Sequence, residues 1–135
     1  MRRIFIWSFA AFLLCGARST AIHSVSPADA EKLLAEGGVL LLDVRTDTEF
    51  QGGRIPGAQS MPLNELSKRM TQITDKTQTI LVYCDTGTRS AKAARMLYRE
   101  GYKDVYNLSG GLRAWTAAQK PIQVQAVNGK AASVP

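Results

Sequence analysis

Tyr83-Cys84-Asp85-Thr86-Gly87-Thr88-Arg89-Ser90 places a nucleophile, a glycine and a permanent cation in one short stretch. A thiol attacks as its thiolate, which is favoured where N–H groups and cations converge. Gly87 supplies the backbone freedom for a tight curl. Arg89 adds a cation at the rim. Asp85, Thr86 and Thr88 complete a loop whose backbone N–H groups can point at one spot and hold an anion. The chemistry this suggests is covalent: attack by Cys84, then an adduct held by the loop. A lone cysteine is most often a small buried hydrophobe. Here the neighbouring glycine and arginine argue for a chemical role.

The rest of the composition narrows that chemistry. The chain has 2 cysteines and 1 histidine. Cys15 lies in an apolar N-terminal run, and Cys84 alone remains beyond it. If that run is removed as a leader, an internal disulfide and a cysteine-based zinc site are both excluded, and we expect neither metal nor cofactor. His23 lies far from Cys84 in sequence and close to the chain's start. A Cys–His protease dyad would need a base from that end, which argues against it.

The elements around the loop are legible from pattern. Ile80-Leu81-Val82-Tyr83 and Val39-Leu40-Leu41-Leu42 are apolar on both faces, as strands buried in a parallel sheet must be. Residues 22–25 and 105–106 read as further strands. Ser26-Pro27-Ala28-Asp29 opens a helix with an N-cap and a proline at its first position. Gly37-Gly38 ends it. Residues 64–73 and 90–100 read as amphipathic helices, the second with Ala91, Ala94, Leu97 and Tyr98 facing inward. Gly110-Gly111 leads into a last helix carrying Trp115. Alternating strands and helices predict a small α/β domain with a mainly parallel central sheet flanked by helices. Cys84 then falls beyond the C-terminal end of a buried strand, where open α/β sheets place ligand sites.

At 135 residues the chain is one domain long. Its net charge of +6 suggests a nucleic-acid binder until the charges are located. Arg2 and Arg3 precede a 14-residue apolar run at 4–17, which ends near Ser19-Thr20-Ala21. That run is short for a membrane span, which takes about 20 residues. Residues 1–21 therefore read as a signal peptide cleaved after Ala21, with no stable membrane insertion afterwards. Cleavage removes Arg2, Arg3 and Arg18. The remaining basic residues are scattered among acids, so nucleic-acid binding loses its support. The expected organisation is a leader at 1–21, a domain at 22–122 and a flexible tail at 123–135, in an exported, periplasmic protein.

At this point the chain resembles the rhodanese family. Asp43-Val44-Arg45, Glu49-Phe50, Gly53, Ile55-Pro56-Gly57-Ala58 and Pro62-Leu63 resemble its first signature. Residues 84–90 resemble its active loop, and Gly110-Gly111 with Ala114-Trp115 its C-terminal signature. Together with the leader, the chain looks like a small exported rhodanese of the phage-shock type. One departure is Arg54, which stands where the family pattern often carries histidine.

The resemblance implies a sulfurtransferase. Cys84 would take the outer sulfur of a small anionic donor such as thiosulfate and pass it from a persulfide to cyanide or a thiol. Two other readings stay open: a non-catalytic binding or sulfur-carrier module, and a phosphatase or arsenate reductase of related fold. Loops of the latter enzymes resemble Cys-x5-Arg, whereas Cys84 and Arg89 enclose four residues, a tighter cradle suited to one sulfur atom. Asp43 and Arg45, at the end of a buried strand, are expected to support the loop by hydrogen bonds. Glu49 and Arg54 read as structural or surface charges, Ser90 as a first-turn hydroxyl and Trp115 as core. Asp85 is expected to repel a dianionic donor.

Overall fold

The computed structural model describes residues 21–125 and 132–134. Strands and helices alternate: β1 (Ala21–Val25), α1 (Pro27–Glu36), β2 (Val39–Asp43), α2 (Asp47–Gly52), β3 (Gln59–Ser60), α3 (Leu66–Arg69), β4 (Thr79–Tyr83), α4 (Thr88–Arg99), β5 (Asp104–Leu108) and α5 (Gly111–Ala117). A 3-10 turn, Met70–Gln72, extends α3. The first five strands form one sheet in the order β1-β5-β4-β2-β3, every pair parallel.

Both faces of the sheet are covered, which is why its central strands are apolar throughout. On one face Leu42, Ile80, Val82 and Val105 pack with Cys84 and with Ala93, Ala94 and Leu97 of α4. On the other, Leu41, Leu81, Tyr83 and Leu108 pack with Ala30 of α1 and Trp115 of α5. The alternation of β4 thus sends Tyr83 to one side and Cys84 to the other.

The strand order fixes where the chain leaves room. From β2 the chain proceeds outward to β3, and from β4 it proceeds the opposite way to β5. The C-terminal ends of β2 and β4 are neighbours, Asp43 beside Tyr83. Connections that diverge from adjacent strands open a crevice at those ends. Residues 44–46 line it, and Arg89 lines it from the Cys84 loop.

Four local expectations need correction. Residues 64–73 form only the short α3 and its 3-10 extension. Tyr98 is 37% exposed rather than inward, and Ala93 takes its place in the core. Residues 47–52 form the helix α2, where no element was expected. Its start is a capping box: Thr46 Oγ1 accepts from the Glu49 N–H, and Glu49 accepts from the Thr46 N–H. Finally, Gln123 and Val124, assigned to the tail, belong to β6 (Ile122–Val124). That strand pairs antiparallel with β7 (Ala132–Val134). Gln123 also exchanges two backbone hydrogen bonds with Arg54, at 2.9 and 2.7 Å. Residues 1–20, which hold nearly all of the expected leader, lie outside the described residues. No helix among the described residues is long and apolar enough to cross a membrane.

Candidate active site

Cys84 leaves β4 fully buried, and the chain curls back around its sulfur. Gly87 makes the curl possible with φ +97°, a left-handed conformation that other residues adopt only under strain. The Gly87 N–H donates to Cys84 Sγ at 3.1 Å, and the Ser90 hydroxyl donates to it at 3.4 Å. Gly87 is also the N-cap of α4, and no side-chain oxygen caps that helix. The sulfur therefore sits where a capping oxygen would, at the positive end of the helix. Burial pushes the thiol up. The Ser90 hydroxyl and the N–H groups of Ser90, Gly87 and Thr86 outweigh it and hold Cys84 below its ordinary value. Hydrogen bonds to the charged form are the cause.

The loop rests on the start of α5. The Leu112 N–H donates to Cys84 O at 2.8 Å and the Arg113 N–H to Asp85 O at 3.1 Å. The approach is so close that a Cβ on Gly111 would lie 2.5 Å from Cys84 O and 2.6 Å from Asp85 O. Gly111, the second of the glycine pair before Trp115, is thus a packing requirement of the loop.

The two charged residues of the loop, Asp85 and Arg89, are each held in an ion pair. Arg89 donates through Nη1 and Nη2 to the two oxygens of Glu49, each at 2.8 Å. Arg89 holds the Glu49 carboxyl down at about 2, and the guanidinium is raised in turn. Negative charge on Cys84 and on Asp85 raises Arg89 further. Asp85 is paired as well, its carboxylate accepting from Arg113 Nε at 2.9 Å. The expected repulsion of a dianion by Asp85 is therefore countered by a neighbouring cation. Thr86 and Thr88 are exposed at the loop's surface.

Asp43 and Arg45 lie beside the loop but do not bond to it. Arg45 forks onto the Asp43 carboxylate, with Nη2 to Oδ2 at 2.6 Å, and the same nitrogen donates to Gly53 O at 2.6 Å. Next to them the Tyr83 hydroxyl accepts the Ile55 N–H at 3.1 Å. Burial and the Asp43 carboxylate keep that phenol protonated. The pair therefore braces the 53–55 turn, and its support of the active loop is indirect. Arg54 lies with its guanidinium over the Phe50 ring, 4.5 Å from the centroid.

Three functional partners escaped sequence reasoning. Ser90 was read as a first-turn hydroxyl, yet it donates to the sulfur. Glu49, by sequence a structural or surface charge, is structural, and its partner is Arg89, 40 positions away. The T-x-x-E spacing of Thr46 and Glu49 was the signal available for it. Arg113 carried none, because its pairing with Asp85 depends on how α5 docks.

The described geometry is a cysteine in an N–H nest at the crevice of a parallel sheet, and comparison with known proteins agrees with it. The family model for the rhodanese-like domain matches residues 26–118. The chain belongs to the rhodanese-like family. Among curated relatives, this rhodanese-like domain is 38% identical over 92 residues to a sulfurtransferase of Allochromatium vinosum, covering 68% of this chain and 85% of the relative. It is 33% identical over 98 residues to the thiosulfate sulfurtransferase GlpE of Pseudoalteromonas translucida, covering 73% and 92%. Some relatives are longer: the chain spans 59% of YqhL of Bacillus subtilis, at 43% identity over 76 residues, 56% of this chain. Among solved structures, the rhodanese-like domain of the Anabaena Alr3790 protein superposes with a TM-score of 0.71 at 29% identity, covering 76% of this chain and 79% of that one.

Proposed function

We propose that this domain moves sulfane sulfur from an anionic donor such as thiosulfate to cyanide or a thiol, through a persulfide on Cys84. The observation that carries the proposal is the convergence of N–H and hydroxyl donors on Cys84 Sγ. The thiolate attacks the outer sulfur of thiosulfate. A bond forms between the two sulfurs, the donor's S–S bond breaks, and sulfite leaves with the electron pair. The outer sulfur of the persulfide takes over the donors that held the thiolate. Cyanide then attacks that sulfur, thiocyanate departs, and the Cys84 thiolate returns. No metal or separate base is required, because the nest already favours the thiolate. The relative named as a thiosulfate sulfurtransferase supports thiosulfate as donor.

The test compares turnover of thiosulfate, a thiosulfonate and a phosphate ester by one preparation. Sulfur transfer from the first two without ester hydrolysis supports the proposal. Ester hydrolysis without sulfur transfer overturns it.

We further infer export to the periplasm after cleavage behind Ala21. The positive start and the 14-residue apolar run support this. Ala21 is the first residue of β1, so cleavage there leaves four of the strand's five residues. Mass spectrometry of the exported protein should show a chain starting at Ile22. A chain retaining Met1 in the membrane fraction overturns it.

A further inference from the structure

A cleft of about 480 Å³ opens at the crevice between the ends of β2 and β4, bordering the active loop at Arg89. That volume lies in the range of sites for organic ligands, roughly 300–1,000 Å³. Along α4 its wall is formed by Arg89, Lys92 and Met96. These positions share one helix face and run about 10 Å at 1.5 Å per residue. Opposite them are Val44 and Leu63. Val44, Leu63 and Met96 belong to the apolar cluster that also holds Cys84.

The charges of the cleft are asymmetric. Its lining includes three cations and no carboxylate. Arg45 is engaged by Asp43, and Arg89 by Glu49. Lys92 is exposed and has no ion pair or hydrogen bond among the described residues. It is the cation of this cleft left for a ligand. Apolar surface offers little to a small inorganic dianion but favours an organic chain. A site with both features suits an amphiphilic anion.

We propose that the cleft binds the body of the sulfur acceptor, a thiol with an apolar chain and a carboxylate. The inference rests on the sulfur-transfer reading and extends it to the acceptor's class. The chain lies against Val44, Leu63 and Met96, and the carboxylate meets Lys92. The acceptor's thiolate attacks the outer sulfur of the Cys84 persulfide. A new S–S bond forms, the bond to Sγ breaks, and Cys84 leaves as the thiolate. The product is an organic persulfide, and no external oxidant or reductant enters.

The test loads the protein with thiosulfate and follows discharge by mercaptohexanoate and mercaptohexanol, which share a chain and differ in the terminal charge. At low ionic strength the wild type should favour the acid about threefold to fivefold in kcat/KM, the size of one exposed ion pair. The preference should shrink in high salt. Lys92→Gln should bring the ratio near unity, and Lys92→Glu should reverse it. Equal rates in the wild type at low salt, or a ratio unchanged in Lys92→Gln, would overturn the inference. Cyanide discharge of the wild type separates the two levels. If cyanide removes the sulfur while the acid has no advantage, only the acceptor site falls. If the protein neither loads nor discharges, the sulfur-transfer reading falls with it.

Discussion

Glu49 and Arg89 clasp each other across the crevice between β2 and β4, through two N–H···O contacts of 2.8 Å. One partner stands in α2 and the other in the first turn of α4. The clasp joins the two elements that diverge from the adjacent strand ends. Glu49 is itself held, because its carboxylate accepts from the Thr46 N–H and hydroxyl at 2.9 and 3.0 Å. Arg89 is therefore aimed by a helix cap on the other side of the site.

Glu49→Gln should release that aim. The variant keeps the volume and loses the bidentate ion pair. We expect a higher thiosulfate KM and a steeper dependence on ionic strength, while the persulfide still forms. The same pair gives a pH dependence of stability. The Glu49 carboxyl is held at about 2, against an ordinary 4.5. A carboxyl depressed by folding stabilises above its unfolded value, and this is lost as pH falls from about 4.5 through about 2. Both side chains are more than a third exposed, so the effect is modest and screened by salt. Acid denaturation of wild type and Glu49→Gln should converge at the bottom of that range. A gap that widens toward low pH would contradict the assignment.

Ser90→Ala should raise the Cys84 titration midpoint. The Ser90 hydroxyl is the foremost of the groups that lower it. Alkylation rate against pH measures the thiolate directly. The wild-type midpoint should fall below that of a free thiol, and the variant's should move up toward it. At neutral pH the variant should load sulfur several-fold more slowly. Identical midpoints would remove Ser90 from the nest.

Asp85 and Arg113 should act as an opposed pair on a dianionic donor. At about 8 Å in solvent, a unit charge acts on a dianion with about 1 kcal/mol, or about fivefold. Arg113→Ala uncovers the Asp85 charge and should raise thiosulfate KM by up to about that factor at low ionic strength. Asp85→Asn should lower it, and the double variant should return near wild type. Three unchanged KM values would place the pair outside the donor's reach.

Gly111→Ala should destabilise the domain by at least about 2 kcal/mol, because the position combines a positive φ with no room for a methyl. The methyl would press on Cys84 O and Asp85 O, so sulfur loading should fall as well. A variant as stable as wild type would mean that α5 and the loop can separate at little cost.

The fold was legible because its central strands are buried on both faces. Val39-Leu40-Leu41-Leu42 and Ile80-Leu81-Val82-Tyr83 have no polar alternation, and between helical segments such runs suit a covered parallel sheet. Cys84 and Gly87 were legible from local spacing, since the nest is built within seven residues of chain. What was not legible is the pairing of charges. The Glu49–Arg89 and Asp85–Arg113 contacts span 40 and 28 positions, and tertiary docking decides them. The short helix α2 was missed because it is six residues long, ends in glycine and buries none of its residues fully. Tyr98 was misplaced because helical spacing alone does not fix how wide the buried stripe of α4 is.

Intact-protein mass spectrometry detects the Cys84 persulfide itself. Wild-type protein incubated with thiosulfate should gain the mass of one sulfur atom, and cyanide should remove it with release of thiocyanate. Cys84→Ser should keep the fold and gain nothing. A wild-type protein that turns over thiosulfate without ever gaining that mass, or a serine variant that retains activity, would contradict the covalent mechanism.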